Sequence, residues 1–153
     1  MFKKWKNNKL LKNEKGLTLV ELLAVIVILA IIAAIAVPAI GNIINKSKDR
    51  AILAEASNIL AGAKIAYIDG ACGESDNVCS AEELKDFVDG IELATNDQVE
   101  YNEKEWKITY SRLGAIKLDD FKDNITSNTI TEANLNKNLT KAGGTPKTNP
   151  TTP

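Results

Sequence analysis

Gly16-Leu17-Thr18-Leu19-Val20-Glu21-Leu22-Leu23-Ala24-Val25 opens the stretch on which the reading of this 153-residue chain turns. From Leu22 to Val37 sixteen apolar residues follow without interruption, and between Leu17 and Ile40 only Thr18 and Glu21 are strongly polar. As a helix, the 24 residues 17–40 would extend ~36 Å at 1.5 Å per residue, enough to cross a hydrocarbon core of ~30 Å. Residues 1–16 hold six lysines against one acid, Glu14, a net charge of +5, whereas residues 17–153 carry a net −6. A basic head abutting an apolar run reads as membrane orientation, with the N-terminus cytoplasmic and the remainder outside. Glu21 is the anomaly, because a carboxylate at the centre of a bilayer costs at least ~2.5 kcal/mol and needs a partner.

Three arrangements fit this pattern. One is a secretory signal cut at the small-residue site Ala34-Ile35-Ala36; another is an uncleaved anchor; neither gives Glu21 a role. The third rests on likeness: Gly16-Leu17-Thr18-Leu19-Val20-Glu21, behind a short basic leader and before an apolar helix, closely resembles the type III signal of type IV prepilins. The resemblance implies that a membrane-embedded prepilin peptidase cuts after Gly16 and N-methylates the new first residue, Leu17. The family most often has phenylalanine at that position, so the chain departs mildly there. The resemblance also implies that Glu21 pairs with the free N-terminal amine, its own or that of the adjacent subunit, and that Pro38 marks a kink in the long helix. Physically, an amine and a carboxylate carried into an apolar bundle are each costly alone and tolerable together.

Beyond Pro38 the helical pattern resumes. Leu53, Ala56, Leu60, Ala63 and Tyr67 recur at three- and four-residue intervals, and Ile44, Ala51, Ala54, Ala61, Ile65 and Ile68 are read as a second stripe that widens the apolar face. Asp69-Gly70 stops the helix. Ser80 with Glu83 forms a capping-box pattern opening a short helix to about Val88. Val99 and Tyr101, then Trp106, Ile108 and Tyr110, alternate with polar residues around Asn102-Glu103-Lys104, the signature of a hairpin. Further strands are expected at Ile91–Leu93 and Ala115–Leu118, and a last helix from Thr131 carrying Leu135, Leu139 and Ala142. The expected fold is α+β: a long N-terminal helix, transmembrane in its first half, packed against a small antiparallel β-sheet head. The expected organisation is a cleaved leader 1–16, a long kinked helix 17–67, a head 68–144 and a flexible tail 145–153.

Histidine is absent and the remainder of the chain is acidic. Zinc sites, triads and nucleic-acid binding therefore start with little support. No catalytic or cofactor-binding constellation emerges, and the chain does not read as an enzyme. Type II secretion pseudopilins bind calcium in a late loop, but Asp119, Asp120 and Asp123 read as a solvated surface. Tyr101, Trp106 and Tyr110 read as core. Cys72 and Cys79 flank turn-forming residues; outside the cytoplasm they are expected to form a disulfide, inside it two free thiols. Pilins usually place their disulfide near the C-terminus, so this pair would do a different job.

The resemblance, which extends to pilins of Gram-positive, clostridial-type bacteria, implies a major subunit of a type IV pilus. Such a subunit polymerises with itself into a surface filament for adhesion, motility or biofilm. Its implied partners are the prepilin peptidase, an assembly ATPase and a platform membrane protein, with the membrane as host before assembly. The alternative is a pseudopilin of a competence or type II secretion system. The mature chain is expected to start at Leu17, one methyl group heavier than its sequence. Intact-mass and N-terminal analysis of the surface protein check this, and a start at Val37 would instead mark an ordinary secreted protein.

Overall fold

The computed structural model describes residues 11–143, with side chains from residue 18 onward. Residues 1–10 of the expected leader and the whole expected tail lie outside the described residues. The chain divides into two units, residues 1–43 and 44–153. Helix α1 (Leu11–Ile68) supplies the described part of the first unit and the opening of the second. It begins six residues before Leu17, so its start does not coincide with the expected leader boundary. Pro38 lies inside it; with no amide hydrogen there, the usual i→i−4 bond to the Ala34 carbonyl cannot form.

In the second unit, α1 is one wall of the core. Leu53, Ala56, Leu60 and Ala63 are buried, joined by Ile52, Ile59 and Ala66. The expected second stripe is not part of this face: Ile44, Ala51, Ala54, Ile65 and Ile68 are exposed and Ala61 only half-buried. At 3.6 residues per turn, the five residues from Leu60 to Ile65 advance the helix by ~140°. That stripe therefore runs down the far side.

The other wall is a four-stranded antiparallel sheet of β1 (Val78–Ser80), β2 (Gln98–Asn102), β3 (Glu105–Thr109) and β4 (Thr129–Thr131), in the order β1-β2-β3-β4. The register aligns Cys79, Val99, Ile108 and Ile130 in one row across all four strands, and all four are buried. The hairpin β2–β3 forms where alternation predicts it. Short helix α2 (Ala81–Leu84) is stopped well before Val88; its entry is held by Glu83, whose Oε2 accepts from the Ser80 amide and hydroxyl at 2.8 and 2.7 Å. Helix α3 (Glu132–Lys141) buries Leu135 and Leu139, and Ala142, its C-cap residue, is buried just beyond it. Thr131 occupies its N-cap position but makes no capping hydrogen bond.

The strands expected at 91–93 and 115–118 are absent: Ala115 ends a 3-10 turn, Ser111–Ala115, and two buried carboxylates take up backbone amides beside or within these segments. Asp97 accepts the amides of Ala94 (2.8 Å) and Ser111 (2.7 Å). Asp49, on the core face of α1, accepts those of Lys117 and Leu118 at 3.1 and 2.8 Å. Charge-assisted acceptors satisfy the backbone that strand pairing would otherwise have to satisfy. The strands that complete the sheet, β1 and β4, are three residues each, too short for alternation to reveal.

Gly62 lets the chain after α2 lie on the helix. A Cβ there would stand 2.7 Å from both the Phe87 carbonyl oxygen and Val88 Cγ2. Gly62→Ala should therefore lower stability: overpacking costs ~1–3 kcal/mol and outweighs a helix-propensity gain of at most ~1 kcal/mol. Thermal unfolding by near-ultraviolet dichroism tests this; a raised melting temperature would show that the turn has room to move.

Tyr110 is buried, and its hydroxyl donates to Glu55 Oε2 at 2.8 Å; Arg112 Nη1 reaches the same oxygen at 2.5 Å. Burial first, and the bond to Glu55 second, push the phenol up to about 12 from its ordinary value of 10.0. The folded state thus prefers the protonated phenol. This contribution is complete below the ordinary value and is lost as pH rises through about 12, a change of up to about 3 kcal/mol. Unfolding titrations over that alkaline range should show the loss in the parent and not in Tyr110→Phe.

Candidate functional site: the motif-bearing helix and the head

Gly16 and Leu17 both lie within α1, their side chains outside the described residues. One turn further, Glu21 is exposed, as is every described side chain from Thr18 to Ile44 except half-buried Ala36. Leu19 is 70% and Ile35 72% exposed, values reached by no residue of the head's core. Thr18–Ile68 is long and apolar enough to cross a membrane. From Thr18 onward the helix therefore combines a surface suited to lipid or to other helices with the carboxylate of Glu21. The structure places Gly16, Leu17, Glu21 and Pro38 along this helix in the first unit and Cys72 and Cys79 in the second.

In the head, Cys72 and Cys79 are joined by a disulfide with their Cα atoms 5.0 Å apart. The bridge closes a loop worth roughly 2.5 kcal/mol in the chain-entropy account. Cys79 belongs to β1 and packs toward α1, its Sγ 3.9 Å from the Ala63 carbonyl oxygen. Gly73 takes a positive φ of 80° beneath Tyr67, whose ring a Cβ would meet at 2.5 Å. The Tyr67 hydroxyl donates to Asn77 Oδ1 at 3.2 Å, and its ring packs edge-on against Tyr101 and Trp106, both 5.5 Å away. Lys64 lies 5.8 Å from the Trp106 ring centre and pairs with Glu132 at 2.5 Å. Tyr101 and Trp106 are half-buried where core was expected; only Tyr110 of the three is enclosed.

These contacts are structural in character. A polar recess of about 420 Å³ beside the disulfide loop includes Glu74, Asp76 and Glu83 in its lining, without the apolar walls that bury an organic ligand. Among the described residues no group of three or more cysteine, aspartate or glutamate side chains could hold a metal ion. Asp123 pairs with Lys141, which holds its carboxyl below the usual range. Asp119 and Asp120 open a 3-10 turn. Among the described residues no catalytic constellation is assembled, and the raised phenol of Tyr110 is a neutral core group.

Sequence reasoning missed Asp49, Asp97 and Gly62. Asp49 had a legible sign: it stands four, seven and eleven residues before Leu53, Ala56 and Leu60, in step with the apolar stripe. Gly62 had none, because Phe87 and Val88 are distant in the chain; Asp97 has one near partner, Ala94, and one distant partner, Ser111, which the sequence does not disclose.

No curated protein and no solved structure matches the chain. The prokaryotic N-terminal methylation motif matches residues 11–37. That motif, the apolar helix and the small antiparallel sheet packed on its second half are together consistent with a type IV pilin-like structural protein.

Proposed function

We propose that the chain is the subunit of a type IV pilus, its major one, cut after Gly16, methylated on Leu17 and polymerised through the first half of α1. The observation that carries this reading is the methylation motif at 11–37 on a helix whose apolar side chains are exposed. Before assembly the subunit is a single-pass membrane protein with a cytoplasmic N-terminus; afterwards it belongs to a surface filament for adhesion, motility or biofilm. Its organisation is a leader 1–16, a helix 17–67 that bends at Pro38, a head 68–144 and a tail 145–153.

Assembly is heterologous, each copy offering one side of its helix to a different side of the next, which yields an open filament. In the apolar bundle the new amine of Leu17 is paired by Glu21, its own or that of the adjacent subunit. The peptidase supplies that amine, and the ATPase and platform protein supply the work of extraction from the membrane.

Glu21→Ala tests the assembly role. The variant should insert at least as well as the parent, since an apolar residue replaces a carboxylate. It should still be cut after Gly16, yet yield few sheared surface filaments, because a buried amine without its partner costs ~3–5 kcal/mol. Wild-type filament yield from the alanine variant would remove Glu21 from assembly. Near-normal yield from Glu21→Gln would show that hydrogen bonding suffices without charge. Long filaments in the parent also separate a pilus from a pseudopilus, which makes only a short fibre.

A further inference from the structure

Lys46, Lys48 and Arg50 are exposed and follow the apolar stretch directly. Lys117 joins them, since its amide is held by Asp49 between two of these cations in the chain. Among the described residues none of the four enters an ion pair. The acids nearest in the chain and by backbone contact are Asp49, buried under the Lys117 and Leu118 amides, and the exposed pair Asp119 and Asp120. Arg50 is partly engaged, its Nη2 lying 3.1 Å from where a Cβ on Gly143 would stand, at the end of α3.

We infer that this basic collar binds the phosphate groups of anionic lipids on the outer face of the membrane while the subunit is held there. The inference rests on the membrane-held topology proposed above. Length supports it: Lys46 stands 25 positions beyond Glu21, ~38 Å of helix against a ~30 Å hydrocarbon core, so Glu21 and Lys46 fall at opposite headgroup layers. Charge supports it too. Residues 69–92 carry eight exposed acids against one lysine, Lys85, itself paired with Glu82. An anionic surface repels that part of the head and attracts the collar, which fixes the end of the head that meets the membrane. Assembly must then break the lipid contact as the subunit leaves.

The test uses the full chain inserted in vesicles of phosphatidylcholine, alone or with phosphatidylglycerol, and pulse acetylation of lysines read by mass spectrometry. Lys46 and Lys48 should react about threefold more slowly in the anionic vesicles, the factor set by a surface potential near −30 mV. Lys104, at the hairpin tip beside the Tyr67 cluster, should change little. High salt should abolish the difference, and in the K46Q/K48Q variant Lys117 should lose most of its slowing. Equal rates in both lipids from an inserted chain, or Lys104 slowed as much as Lys46, would overturn the collar and leave the membrane reading intact. A chain stripped from the vesicles by alkaline carbonate would overturn that reading and the collar with it.

Discussion

Between Leu19 and Ile44 the chain presents a helix whose large apolar side chains are exposed. Each valine, leucine or isoleucine left in water forgoes ~1.5–3 kcal/mol, so a run of this length requires either lipid or other helices around it. The rest of the design answers that constraint. The second half of the same helix packs into the core of the head, while the large apolar side chains of its first half are exposed.

The head solves a smaller version of the same problem. Its sheet has only four short strands, and ladder bonding cannot reach the long connections before β2 and after β3. Asp49 and Asp97 take that role. Each is nearly inaccessible, at 1% exposure, and each spends its carboxylate on backbone amides rather than on a cation. Burying a carboxylate is tolerable only with such donors, so these two acids tie the loops to α1 and to β2.

The sequence discloses the parts of this fold whose signal is local. The β2–β3 hairpin is written in the alternation of Val99, Tyr101, Trp106 and Ile108 about a polar turn, and α3 in the spacing of Leu135, Leu139 and the closing Gly143. The motif-bearing helix is legible because sixteen consecutive apolar residues behind a basic head suit a bilayer or a bundle of helices and little else. What the sequence hides is set by distant partners. Nothing near Ile116 discloses that the buried carboxylate of Asp49, far back in α1, takes up the amides of Lys117 and Leu118. The side of α1 that the head covers is equally obscure, because apolar residues surround the helix and periodicity alone cannot choose between them.

The strand order β1-β2-β3-β4 is also the order of the chain. Every strand after the first pairs with one already made, and the helix that walls the core precedes them all. A sheet so ordered can be laid down progressively as the polypeptide is delivered, each arrival finding a finished edge and an apolar template waiting. No strand must be threaded between two others, and no early partner waits for a late one across the sheet. The row Cys79, Val99, Ile108 and Ile130 would close from one side to the other, with the thiols of Cys72 and Cys79 brought together near the first step. In the head, this sequential topology keeps exposed strand edges few and short-lived during folding.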